Sequence, residues 1–84
     1  MQEEKSADYF IDITSEVCPL TFVRTKLLVE RMASGQTLEV RLNAGEPLEN
    51  VPRSLAELGH AILSLEPENR ENLQGVHRLW VRKS

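Results

Sequence analysis

Between Pro19 and Gly35 the chain runs without a single Gly or Pro. Proline suits the first helical position, where its missing N–H costs nothing, and glycine takes the backbone conformation that ends a helix. The pair therefore predicts a helix opening at Cys18-Pro19 and closing before Gly35. Runs of period two flank it. In Tyr9-Phe10-Ile11-Asp12-Ile13, Tyr9, Ile11 and Ile13 share one face and Phe10 and Asp12 the other. Thr14 to Val17 reads as the turn out of that strand. Thr37 to Asn43 alternates in the same way and reads as a second strand, broken by Ala44-Gly45-Glu46-Pro47.

The second half repeats the theme. Leu48, Val51, Pro52, Leu55 and Leu58 follow a helical spacing. Pro52 is expected to kink that helix, or to leave residues 47–51 as a separate first turn. Gly59 supplies a stop. Ala61 to Leu65 reads as a third strand, Glu66 to Gly75 as a polar loop, and Val76 to Arg82 as a fourth strand with Leu79 and Val81 on one face. The order β-α-β-α-β-β predicts an α/β (α+β) two-layer sandwich: a mixed four-stranded sheet with both helices on one face. Residues 1–8 read as a flexible tail and 9–83 as a single domain.

Composition narrows the function. Aromatics are 5% of the 84 residues, so the core must be mostly aliphatic. Thirteen acids against ten bases give a net charge of −3, which lacks the basic footprint of a nucleic-acid binder. No apolar run approaches a membrane span, and the N-terminus is too acidic and polar for a signal peptide. No phosphate-cradling glycine motif is present, so no nucleotide cofactor is expected. One cysteine forbids an internal disulfide and, with two histidines, a closed four-ligand zinc site built without carboxylates. No metal or cofactor is expected, and a reducing cytoplasm is the natural home.

Cys18 has the most chemical potential. At the N-cap, before Pro19, it would face unpaired first-turn N–H groups and the positive end of the helix dipole, and both favour a thiolate. The alternative is a small buried hydrophobe, since free cysteine is among the most buried residue types. On the same helix Phe22, Thr25, Leu28, Val29 and Met32 form one face, and Leu20, Val23 and Leu27 a second stripe flanked by Arg24 and Arg31. The sequence leaves open whether that stripe packs on the second helix or stays exposed beside Cys18 as a docking surface. The expected division has Leu27 partly structural and Leu20 and Val23 mostly functional. Arg24 could reach a docked partner's acids, or be a solvated charge. His60 and His77 read as structural.

Asp12, Cys18-Pro19-Leu20 at a helix start, Gly35-Gln36-Thr37-Leu38 entering a strand, Val51-Pro52, Gly59-His60 and Leu79-Trp80-Val81-Arg82-Lys83 together resemble the TusA family of small sulfur carriers, also called SirA-like or YedF-like, over about residues 9–83. The resemblance implies a cysteine, here Cys18, that accepts sulfur as a persulfide from a donor such as a cysteine desulfurase and passes it to an acceptor protein. It implies a sulfurtransferase role only in company with those proteins, and supporting roles for Pro19, Thr21, Asp12 and Arg24. The second proline of the family's Cys-Pro-x-Pro motif is Thr21 here, which restores a backbone N–H and adds a hydroxyl in the first turn. Direct nucleic-acid or membrane partners are not expected, and a monomer is. The acceptor stays open among tRNA thiolation, molybdenum cofactor, thiamine and sulfur oxidation. A non-catalytic interaction or regulatory module of the same fold, or a redox or selenium-handling variant, are the alternatives.

Overall fold

The computed structural model describes residues 7–16 and 20–84, with Leu20 by its backbone alone. β1 (Tyr9–Asp12) pairs in parallel with β2 (Thr37–Asn43), Tyr9 opposite Leu38 and Asp12 opposite Arg41. Parallel neighbours need a crossover, and α1 (Leu20–Arg31) lies on it. β2 pairs antiparallel with β4 (Val76–Arg82), and β4 with β3 (Ala61–Pro67), so the sheet is mixed, in the order β1-β2-β4-β3. α2 (Glu46–Glu57) connects β2 to β3.

Alternation decides which face is dry. Leu38, Val40 and Leu42 of β2 and His77, Leu79 and Val81 of β4 are buried, as is Ile13 just past β1. The apolar ones meet Val29 of α1, Met32 just past its end, and Val51 and Leu55 of α2 in one core. Both helices therefore cover the same face, as the pattern predicts. The opposite face carries Phe10, Asp12, Glu39, Arg41, Asn43, Arg78 and Trp80. Each fully buried Leu or Val on the dry face contributes roughly 1.5–3 kcal/mol over its exposed state.

The boundaries depart from expectation at three places. α1 ends at Arg31 rather than near Ser34: Met32 N–H turns to Val29 O at 3.0 Å, and the Gln36 side chain accepts Ala33 N–H at 2.7 Å. Gly35, at φ +88°, then donates its N–H to Lys83 O at 2.8 Å, fixing the entry to β2. α2 is continuous from Glu46 through Pro52, so residues 47–51 are not a separate turn. Val51 and Leu55, both fully buried, anchor the turns on either side of Pro52, and that packing outweighs the hydrogen bond which proline removes. β3 runs two residues further than expected, to Pro67, with a bulge between Ile62 and Ser64. It is an edge strand, where a proline at the end costs little pairing.

Gly59 ends α2 as expected. At φ +99° its N–H reaches Ala56 O at 3.0 Å, and His60 N–H reaches Leu55 O at 3.2 Å, the paired bonds of a left-handed helix stop.

Candidate functional site in the segment between β1 and α1

Cys18, with Val17 and Pro19, lies outside the described residues, and so does the side chain of Leu20. The expected helix-cap thiol and the motif proline are therefore placed only by sequence. What the structure does describe is the segment on each side.

On the strand side, Ile13 N–H bonds Arg41 O at 2.9 Å, extending the parallel pairing past β1. The Asp12 carboxylate accepts Thr14 N–H at 2.9 Å and the Thr14 hydroxyl at 2.7 Å, an Asx turn that sends the chain away from the sheet. The other Asp12 oxygen pairs with the Arg41 guanidinium at 3.1 Å. The Thr14 hydroxyl and N–H, and then Arg41, hold the Asp12 carboxyl below its ordinary range. Asn43, at the end of β2, donates its side-chain amide to Thr14 O at 2.7 Å. Glu16 N–H closes a turn on Ile13 O at 3.1 Å, and the Glu16 carboxylate meets Arg24 of α1 at 3.5 Å. Residues 12–16 are thus tied to β2 at three points and to α1 at one.

On the helix side, Thr21, Thr25 and Val29 follow one another at one-turn spacing and are buried against the sheet. The Thr25 hydroxyl donates to Thr21 O at 2.8 Å. The Thr21 hydroxyl is buried and has no hydrogen-bond partner among the described residues. Val23 is 41% exposed and Leu27 56% exposed. The second stripe is therefore open at these two positions, and the expectation that Leu27 is partly structural is corrected. Two residues, about 200° of helix, separate Leu27 from both Thr25 and Val29, so it points away from the packed face. Beside it Ile11, Arg24, Leu27, Leu28, Glu30 and Arg31 line a shallow concavity of about 540 Å³.

Of the residues singled out from sequence, Asp12 lies at the strand end of the described segment, Arg24 pairs with Glu16 from α1, and Thr21 is buried in the first turn of α1. Arg41, Asn43 and Glu16 were missed. Arg41 and Asn43 sit in an alternating strand and read as plain solvent-facing positions. The signal that finds them is the parallel register, which puts Arg41 opposite Asp12. The histidines lie apart from this segment. His60 Nδ1 accepts Ser84 N–H at 3.2 Å, and His77 is buried with Nδ1 3.0 Å from Gly75 O. Among the described residues no group of three or more His, Cys, Asp or Glu side chains is placed to hold a metal ion, and no helix is long and apolar enough to cross a membrane.

Comparison with known proteins gives the family. A family model described as Sulfurtransferase TusA matches residues 9–83. A protein of Archaeoglobus fulgidus described as "Putative sulfur carrier protein" is 45% identical over 60 residues, covering 71% of this chain and 68% of the relative. One of the same description from Thermotoga maritima is 36% identical over 67% of this chain and 71% of its own length, and the Escherichia coli protein TsuB, described in the same words, is 33% identical over 62% and 69%. Among solved structures, a SirA-like protein of Desulfitobacterium hafniense superposes with a TM-score of 0.74 over 88% of this chain and 95% of that one, at 17% identity, a likeness of fold. Since the family model takes in both helices and all four strands, the chain belongs to the TusA family, with relatives described as sulfur carriers.

Proposed function

We propose that the chain carries sulfur as a persulfide on Cys18, in the cytoplasm, between a donor such as a cysteine desulfurase and an acceptor protein. The observation that carries this reading is that Cys18 is the only cysteine of a chain matched to the TusA family over residues 9–83. In the loading step the Cys18 thiolate attacks the terminal sulfur of the donor's persulfide. A new S–S bond forms on Cys18, the donor's S–S bond breaks, and the donor cysteine leaves as a thiolate. No external oxidant is consumed. With no second cysteine to resolve it, the persulfide persists until an acceptor thiolate or other nucleophile takes the outer sulfur.

The supporting residues have distinct tasks in this reading. Asp12 and the turn behind it lead into the cysteine segment, and Cys18-Pro19 in sequence just before α1 is the pattern of a helix start, whose free N–H groups would favour anionic sulfur. The Thr21 hydroxyl, with no partner among the described residues, supplies a further donor close to Cys18 in sequence. Val23, Leu27 and Arg24 stand exposed together and form a docking stripe, which Leu20 joins by its helical spacing in the sequence.

Incubation with a cysteine desulfurase and cysteine tests the proposal by intact-mass spectrometry. Wild type should gain about 32 Da per sulfur atom, and Cys18→Ser none. Equal gain in both proteins, or none in either with several donors, overturns it.

A further inference from the structure

β3 is the longer of the sheet's two edges. Among the described residues no strand lies beyond it. Edge strands are usually kept from pairing with other chains by shortness or by charge. β1, the other edge, has four residues and ends on Asp12. β3 has seven, and Glu66 is its only charged side chain. Ile62, Leu63 and Leu65 stand 36%, 45% and 39% exposed along it. Ile62 and Leu65 are nonetheless on the dry side of the sheet, since cross-strand partners share a face and theirs are the buried Val81 and Leu79.

The ladder to β4 fixes which backbone groups are open. Glu68 N–H reaches Val76 O at 2.9 Å, so the pair just past Pro67 and His77 is a bonded one. Bonded and non-bonded pairs alternate along an antiparallel ladder. Glu66 and Ser64 therefore turn their N–H and C=O groups to β4, and Leu65 and Pro67 turn away from it. Pro67, which has no N–H, suits that position. Leu63 is the extra residue of the bulge and stands opposite no residue of β4. Beyond it Ile62 faces Val81, a non-bonded place like that of Leu65, so it too presents its N–H and C=O at the open edge.

The bulge also makes this edge self-complementary. In a regular strand residues 62 and 65 would face opposite sides. The extra residue puts both on the helix side, with Ala61 and Glu66 on the other. A two-fold axis between residues 63 and 64 then sets Leu65 of a second copy against Ile62, and its Glu66 against Ala61, with matching faces in both pairs. The open N–H and C=O groups of Ile62 and Leu65 meet one another. Charge agrees with this register. Arg82 lies opposite Ala61 on β4, and among the described residues no acid pairs with it. The small Ala61 leaves the Arg82 side chain a path to the second copy's Glu66, two strand spacings or about 10 Å away. We infer that β3 pairs antiparallel with β3 of a second copy, joining two four-stranded sheets into one. The chain is then a weak dimer rather than the monomer expected from sequence. β1 and the concavity beside Ile11 and Leu27 stay open at the far ends of the joined sheet.

The test is analytical sedimentation of the full chain from about 1 μM to about 1 mM, in reducing buffer so that no Cys18 disulfide supplies the contact. Wild type should pass from monomer to dimer within that range, as small interfaces do. Leu63→Lys puts a charge on each side of the axis and should weaken association at least about tenfold. Arg82→Glu sets like charges in one row and should weaken it several-fold, and Glu66→Lys combined with Arg82→Glu should restore it. Urea melts confirm that each variant is folded; if Leu63→Lys is not, the charge exchange decides. Amide exchange by NMR locates the contact. Ile62 and Leu65 should exchange more slowly as concentration rises, while Ser64 and Glu66, already bonded to β4, stay constant. A wild type monomeric throughout overturns the inference and points to a strand of another protein as the occupant of the edge. Equal association in wild type and folded Leu63→Lys, a charge exchange that fails to restore pairing, or Ile62 and Leu65 already protected at the lowest concentration each overturn it as well.

Discussion

Thr21 and Thr25 lie one turn apart on the same buried face, and replacing each with valine should change stability in opposite directions. The Thr21 hydroxyl is buried with no hydrogen-bond partner among the described residues. A hydroxyl left in that state costs roughly 1–3 kcal/mol of desolvation. Thr21→Val puts a methyl in nearly the same volume, keeps the β-branch and leaves helix propensity almost unchanged. Stability should rise by about 1–2 kcal/mol, and each kcal/mol moves the melting temperature of a domain this size by about 4–8 °C. Thr25→Val instead deletes the 2.8 Å bond to Thr21 O. A neutral hydrogen bond contributes roughly 0.5–1.5 kcal/mol, so stability should fall by about that amount. The assay is a urea melt of each variant, accepted only where the slope matches wild type, so that a shifted midpoint reports stability alone. Most substitutions destabilise by roughly 0.5–3 kcal/mol, so a gain at Thr21 is a demanding outcome. If Thr21→Val is less stable than wild type at an unchanged slope, the hydroxyl is paired and the reasoning fails. Sulfur loading measured on the same protein separates the roles: a more stable Thr21→Val that loads slowly assigns the hydroxyl to the sulfur.

Val23→Ala and Leu27→Ala should stay within about 0.5 kcal/mol of wild type, as exposed positions do, while Leu55→Ala in the core should lose roughly 2–5 kcal/mol; urea melts check all three, and slower loading at constant stability supports the docking stripe. Gly59→Ala must place a side chain at φ +99° and should cost about 1–2 kcal/mol in the same melt. Glu68 is held below its ordinary carboxyl value of 4.5 by hydrogen bonds from Arg41 and then Arg78. A depressed folded pKa stabilises fully above the unfolded value and loses that contribution as pH falls through the lower, folded one. Wild type should therefore weaken as pH drops below 4.5, and Glu68→Gln should flatten that limb of a urea-midpoint titration.

Much of the fold was legible because it rests on periods that burial enforces. The alternation of Leu38, Val40 and Leu42 with Glu39, Arg41 and Asn43 is both the sequence pattern and the two faces of β2. Gly59 closes α2 where its conformational freedom predicts. At Pro52 the sequence allowed a kink or a separate first turn; α2 runs unbroken through it, which excludes the separate turn, because the burial of Val51 and Leu55 on either side offsets a local penalty that a linear pattern does not weigh. The extra length of β3 comes from Glu66 and Pro67 pairing with Arg78 and His77, a tertiary fact in a polar stretch. At the candidate site, Asp12 and Arg24 were legible as charges near a cysteine. Their partners Arg41 and Glu16 were not, because strand register and turn closure bring them together, and neither is local in sequence.

Strand β2 couples stability to site geometry. Its inward residues Leu38, Val40 and Leu42 fill the core, and its outward residues Arg41 and Asn43 hold Asp12 and Thr14. Side chains alternate strictly along a strand, so a slip of one residue between β1 and β2 would move all of these contacts together. Burial of three large aliphatic side chains holds β2 far more strongly than one exposed ion pair and one part-buried hydrogen bond can. The weak contacts at Asp12 and Thr14 therefore inherit their precision from the core. This accounts for a site segment that is firmly placed at its strand end although its own bonds are individually modest. It also accounts for the freedom of Val23 and Leu27: with Thr21, Thr25 and Val29 meeting the packing needs of α1, the opposite side of that helix is left to solvent.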